Sequence, residues 1–285
     1  MHGIAISHRL LVAVAGLSLA ACAPTLSSFQ PAHVAQQGSV QTEMGQDFCL
    51  PTGTVRKAID AAATIAKVAD QQGATDNDKR RLAEAGIAML LNPVALNSHL
   101  GLAYAFADDW DGSLRMTTGG WRLGARHQFL HQATHGYDVT AALGVGRATQ
   151  EIPRPDMVDK VLEIQDPVRY SLDTSIIAGK HGDFYRLWFG PKALYTHYST
   201  AMTLKLPESA GGTTTPLAVT ADGKAFYLGG QLGAGLGYRW LFLAAELTVT
   251  RVFSRGDVQI TGLSPFSPSL NDWVIYPGIG LLGEF

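Results

Sequence analysis

Residues 225–238 read Ala225-Phe226-Tyr227-Leu228-Gly229-Gly230-Gln231-Leu232-Gly233-Ala234-Gly235-Leu236-Gly237-Tyr238. Phe226, Leu228, Leu232, Leu236 and Tyr238 fall on one side of an extended chain. Tyr227, Gly229, Gln231, Gly233, Gly235 and Gly237 fall on the other. Because successive side chains of a strand point to opposite faces, this stretch has one bulky apolar face and one small, polar face. It is also longer than the roughly 9–11 tilted residues with which a strand crosses a bilayer.

The same alternation runs from Leu96 to the end of the chain and predicts eight strands: 97–107, 113–128, 137–148, 169–180, 184–200, 225–238, 240–253 and 273–285. In the last, Trp273, Ile275, Ile279, Leu281 and Phe285 oppose Tyr276, Gly278, Gly280 and Glu284. Charge falls on the glycine face: Arg122, Arg126, Asp173, Arg186, Lys192, Glu246 and Glu284. A water-soluble barrel keeps its interior apolar, whereas a membrane barrel has lipid outside and a polar lumen. Aromatics gather near strand ends (Trp110, Trp121, Tyr137, Tyr185, Tyr195, Tyr238, Trp240, Trp273, Tyr276) as interfacial girdles require. Connections are brief after the second, fourth and sixth strands and long after the third, fifth and seventh (Gln150–Val168, Lys205–Gly223, Ser254–Asp272), the pattern of periplasmic turns and outer loops. The expected fold is all-β with a short N-terminal helical segment, an eight-stranded antiparallel transmembrane β-barrel over 96–285. Eight strands leave an interior just filled by side chains, so these charges are expected to form a lumen ionic network. A soluble β-barrel held by a lipid is the rival architecture.

Composition agrees. Of 285 residues, 46% are apolar and 16% charged, against roughly 25% charged in average soluble domains. A net charge of −2 without a basic block excludes nucleic acid as a partner. No apolar run within 23–285 approaches the roughly 18 residues of a membrane-spanning helix.

The chain before the barrel divides by pattern. Polar Met1–Arg9 and apolar Leu10–Leu19 make a secretory signal, expected over 1–21. Leu19-Ala20-Ala21-Cys22 resembles the lipobox of bacterial lipoproteins, which implies cleavage before Cys22 and its acylation, palmitate included. In that family Ala23, rather than Asp, after the cysteine implies forwarding to the outer membrane by the lipoprotein-sorting machinery. Ser-, Gln- and Pro-rich chain then reads as a lipid-anchored flexible linker over 22–52. Cys49 is the one other cysteine, so no intramolecular disulfide is expected. Thr54–Gln71 and Asp76–Leu91 read as helices, with Gly73, Asp76 and Asn77 as stop and cap, forming a periplasmic helical hairpin over 53–95. Residues 97–285 resemble the OmpA/OmpX type of small barrel in pattern, and the terminal Phe285 resembles the assembly signal read by the barrel-assembly machinery.

Tyr195-Thr196-His197-Tyr198-Ser199-Thr200 holds a histidine and a serine two residues apart on the lipid-side face. This resembles the His-x-Ser site of the lipid A 3-O-deacylases. The resemblance implies an esterase on lipid A or phospholipid, with Ser199 as nucleophile, His197 as base and Glu208 as the orienting carboxylate. Thr200 stands where that family has Asn, and three strands follow the motif rather than one. Arg255-Gly256-Asp257 matches a tripeptide of integrin-binding adhesins and is otherwise a charged turn. His127, His131 and His135 share a turn without metal-ligand spacing, and Leu143-Gly144-Val145-Gly146 opens no helix. No cofactor and no metal are expected. The expected function is an outer-membrane barrel lipoprotein with a structural or surface-recognition role, through its lipids and an envelope or extracellular partner at the long loops. The alternative is the acyl hydrolase.

Overall fold

A computed structural model of the chain describes residues 26–71, 74–149, 162–165, 167–207 and 214–285. Its strands are β1 (Val40–Pro51), β2 (Ala95–Ala107), β3 (Trp110–Thr117), β4 (Gly120–Leu130), β5 (Asp138–Ala148), β6 (Leu162–Ile164), β7 (Val168–His181), β8 (Tyr185–Pro207), β9 (Thr214–Tyr238), β10 (Leu241–Ile260) and β11 (Asp272–Glu284). Helices α1 (Thr52–Gln71) and α2 (Asp76–Leu91) lie between β1 and β2, and α3 (Gln132–His135) lies between β4 and β5. Antiparallel pairing runs β1-β2-β3-β4-β5-β7-β8-β9-β10-β11 and returns to β1, closing a ten-stranded barrel, with β6 added to the far end of β8.

Ten strands replace the eight expected, for two reasons. Residues 113–128 are not one strand: a two-residue turn at Thr118-Gly119 folds them between β3 and β4, with Thr117 opposite Gly120. Val40–Pro51, expected as linker, pairs along its length with β11 and β2. Its outward face carries Thr42 and Gln46 beside Met44 and Phe48, and its inward face carries Glu43 and Asp47. Polar residues on both faces erase the hydrophobic alternation, although the backbone ladder is complete.

That extra strand also moves the helices. Val40, the first residue of β1, and the C-terminal Phe285 are bonded to each other, N to O at 2.8 and 2.9 Å. The turns at 108–109, 131–137, 182–184 and 239–240 share their end of the barrel. The helical hairpin leaves at Pro51 and returns at Ala95, so it stands at the opposite end, where β8, β9 and β10 project. The hairpin, expected alongside the short turns, therefore stands at the other end of the barrel from them. Two of the expected long loops begin as strand: β8 and β9 continue their ladder to Pro207 and Thr214, and β10 runs to Ile260, while most of Gln150–Val168 lies outside the described residues.

Local chemistry fixes the helices. Thr75, rather than Asp76 or Asn77, caps α2 in a box with Asp78, its hydroxyl accepting from Asp78 N at 3.2 Å and its N–H donating to the Asp78 carboxylate at 3.1 Å. The first turn of α1 is capped from the barrel, because Asp272 of β11 accepts from Gly53 N at 2.5 Å and Thr54 N at 3.0 Å.

Candidate functional site: a lumen filled from both ends

The lumen near the Phe285 end is ionic. Arg126 is buried with a fork on Asp111, Nε lying 3.0 and 2.9 Å from the two carboxylate oxygens. Arg122 pairs with Asp173, and Arg186 pairs with Glu284 at 2.6 Å while lying 4.0 Å from the centre of the Phe242 ring. Lys192, 2% exposed, donates to Gln231 at 3.3 Å. Glu246 does not pair with any of the expected cations. Its carboxylate accepts Trp188 Nε1 at 2.9 Å and two backbone N–H groups, those of Ser28 at 2.7 Å and Phe29 at 2.9 Å.

A second ionic group escaped the sequence reading. Arg115 Nε lies 3.1 Å from Glu43 and its Nη2 lies 3.5 Å from Asp47, which also faces His99 Nδ1 at 3.2 Å. Glu43 and Asp47 belong to the missed strand. Arg115 and Asp111 stand on β3, where odd numbers face inward, whereas Arg122 and Arg126 stand on β4, where even numbers do. The turn at Thr118-Gly119 shifts the parity, so a single-strand reading sends Arg115 to the wrong face.

Residues 26–38 run down this lumen and then turn into β1. The sequence suggested a flexible tether here, because the segment has no hydrophobic period. Its order comes from its backbone, whose polar groups are met by wall side chains, as burial demands. Arg115 donates to Ser27 O, Arg126 to Pro31 O at 2.8 Å and Thr140 to Ala32 O. Val34 N donates to Gln128 at 2.6 Å, and His33 lies 2.8 Å from Glu284. Gly278 makes room for it: a Cβ there would lie 2.9 Å from the Phe29 ring and closer still to the Asp47 carboxylate.

The other half of the lumen is apolar. Leu82, Ile87, Leu90 and Leu91 of α2 pack in one core with Met202, Leu204, Val219, Val252, Val258, Ile260 and Val274 of the wall. Leu26 and Cys49 are buried in the same core. Two polar contacts here serve the helix end, Arg169 donating to Leu90 O and Tyr227 Oη to Asn92 Oδ1 at 2.9 Å, while Tyr276, expected in the outer girdle, is instead buried on the inward face of β11 and accepts from Asn97 Nδ2 at 2.6 Å.

Outside, the phase agrees with the sequence. Leu232 and Leu236 are 61% and 72% exposed on β9, while Trp188 on the inward face of β8 is fully buried. A largely aliphatic surface, with Phe189 in it, surrounds the barrel between two aromatic rows. Trp110, Tyr137, Phe184, Tyr185, Tyr238 and Trp240 lie at the Phe285 end, and Trp121, Tyr170, Tyr195, Phe226, Phe253 and Trp273 at the other. From Phe226 to Tyr238 the strand is about 40 Å long at ~3.3 Å per residue, and at a tilt of roughly 40° it rises about 30 Å, the thickness of a hydrocarbon core. Phe285 is exposed at the rim.

His197 and Ser199 lie beyond the Tyr195 row on projecting β8. No hydrogen bond joins them among the described residues, and Glu208 lies outside the described residues. The carboxylate near His197 is Asp222, directly across from Ser199 on β9 and 3.6 Å from the imidazole, and it is solvent-exposed. Arg255-Gly256-Asp257 is in β10, opposite Lys224-Gly223-Asp222, and not in a loop. His127 stacks on Trp110 at 4.4 Å, His131 faces Asp109 at 3.4 Å, and no three potential ligands converge among the described residues. Cys22 lies outside the described residues.

No family model matches the chain, and no curated protein matches it in sequence. Among solved structures it is similar to neisserial surface protein A, at 10% identity over 89% of this chain and 100% of that one, with a TM-score of 0.34. It is similar to a major outer membrane protein from Thermus thermophilus, at 11% identity over 87% and 100%, with a TM-score of 0.36. The translocator domain of the autotransporter NalP from Neisseria meningitidis follows, at 9% identity over 100% and 96%, with a TM-score of 0.21. Likenesses this loose decide nothing about the chain.

Proposed function

We propose that this protein is an outer-membrane β-barrel closed to solutes, with a structural or surface-recognition role exerted at the end that carries the helices and the projecting strands. The observation that carries the reading is the largely aliphatic belt between two aromatic rows, wrapped around a closed sheet. In water a belt of this extent would have to be covered; in a bilayer it is the required surface. Closure to solutes is supported by the two fillings of the lumen, the extended segment 26–38 and helix α2. In this orientation the short turns and Phe285 face the periplasm, and the helical cap faces outward. Membrane lipids and the barrel-assembly machinery are the partners this surface needs.

Acylation of Cys22 belongs to the same reading and is supported by Leu19-Ala20-Ala21-Cys22. Cys22→Ser is expected to abolish palmitate incorporation; undiminished labelling removes the lipid from the account. The barrel itself is tested by electrophoresis of the full chain in SDS. Because the backbone groups of a closed sheet are paired internally, the unboiled protein is expected to migrate faster than the boiled one. Identical migration contradicts the reading.

A further inference from the structure

The belt is notched on the β7–β10 wall. On the outward face, Ala178 of β7, Phe189 of β8, Leu232 of β9 and Leu247 of β10 stand in one register row. In the row above, on the cap side, Pro191, Gly230 and Val249 are paired, with Ile176 beside Pro191. Gly230 puts no side chain between its neighbours, and the row borders an open slot of about 480 Å³ lined by Ile176, Phe189, Pro191, Leu232, Leu247 and Val249. A Cβ at Gly230 would meet Gly190 O at 3.5 Å, ordinary contact, so the glycine is not required by backbone crowding.

Arg251 stands on the same face of β10, two residues beyond Val249, about 7 Å along the strand. It is exposed at the level of the cap-side aromatic row, between the rings of Phe253 at 5.4 Å and Trp273 at 5.9 Å. Among the described residues no carboxylate pairs with it. Arg147 is the comparison within the molecule. It too is exposed in that row, 5.8 Å from the Tyr170 ring, but Val145 and Leu143 fill the face beneath it. Arg251 alone of the two has a slot below.

We propose that the slot and Arg251 bind one anionic lipid of the cap-side leaflet, its acyl chain against Gly230 and its phosphate on the guanidinium. The inference rests on the membrane-barrel reading above. An acyl chain is the occupant that suits a notch one residue wide, apolar and set within the hydrocarbon belt; a protein helix, roughly 10 Å across, does not enter it. The guanidinium fork matches a phosphate bidentately, and flanking rings hold it extended at the interface, where lipid phosphates lie.

The full chain is reconstituted in phosphatidylcholine vesicles with a trace of phosphatidylglycerol carrying a photoactivatable diazirine on its acyl chain. Adducts are mapped by mass spectrometry. Labelling of Phe189, Leu232 and Leu247 is expected to exceed that of Leu100 and Leu102, on the opposite wall, by about fivefold, the factor that ~1 kcal/mol per arginine near anionic lipid provides. A phosphatidylcholine probe with the same chain is expected to show a smaller excess. Arg251→Gln is expected to reduce the phosphatidylglycerol excess to the phosphatidylcholine level, and Gly230→Leu to remove the excess for both probes. Arg147→Gln is expected to change neither. Even labelling around the belt, or an equal effect of Arg147→Gln and Arg251→Gln, overturns the site and leaves the membrane barrel standing. Labelling of no belt residue overturns both.

Discussion

The two halves of the lumen are filled with opposite chemistry. At the Phe285 end the wall presents Arg115, Arg126, Asp111, Glu246 and Glu284 to an extended segment. At the cap end it presents Met202, Leu204, Val219 and Ile260 to a helix. The difference follows from the insert's backbone. A helix bonds its own N–H and C=O groups and so can rest on an apolar wall, needing polar partners at its ends alone: Thr75 caps the start of α2 and Arg169 meets Leu90 O at its end. An extended segment bonds none of its own, and each buried group must find a wall side chain. The charged wall is therefore as much a set of backbone partners as a set of ion pairs. Glu246, taken up by two N–H groups and an indole, makes the point.

The largest expected effect breaks the ionic half. Arg126→Leu leaves Asp111 buried and unpaired and is expected to cost about 3–5 kcal/mol, read from the urea midpoint of the detergent-solubilised protein. Adding Asp111→Leu should return part of the loss; strict additivity would show that the pair is not coupled. Next is the apolar half. Leu90→Ala removes a fully buried side chain and is expected to cost roughly 2–5 kcal/mol, with hydrogen exchange accelerated in α2 and not at Ser28 or Phe29. Exchange accelerated equally in both would mean that the two halves unfold as one and that the comparison has no energetic counterpart.

Much of the barrel was legible because lipid imposes an alternation that sequence records directly. Strands 6, 7 and 8 of the reading, with Leu232, Leu243 and Ile279 outward, hold in the structure. What was lost was lost where the outward face is polar or the parity breaks. Gln46 and Thr42 disguise β1, and Thr118-Gly119 hides a turn inside an apparently continuous strand. Segment 26–38 left no periodic trace at all, since its order is held through backbone groups and the wall that meets them. The ionic network was half legible for the same reasons. Arg122 with Asp173 and Arg186 with Glu284 lie on strands whose phase was right, whereas Arg115, Glu43 and Asp47 do not.

A smaller effect sharpens the claim about backbone partners. Glu246→Gln keeps the shape and removes the charge, and charge-assisted hydrogen bonds are stronger than neutral ones by about 1 kcal/mol each. A loss of about 1–2 kcal/mol is expected, with faster exchange confined to Ser28 and Phe29. Unchanged exchange there would show that the segment is held by shape alone. The smallest effect is at the helix entry, where Asp272→Ala is expected to cost about 1 kcal/mol and to loosen the first turn of α1 while the ionic half is untouched.

The central claim is a membrane-spanning barrel whose lumen is filled along its length, and ion conductance across a planar lipid bilayer tests it most directly. With the heat-modifiable full chain inserted, the account predicts no steady ohmic current, because segment 26–38 closes one half of the lumen and α2 the other. Stable open-pore steps from the intact protein would contradict it.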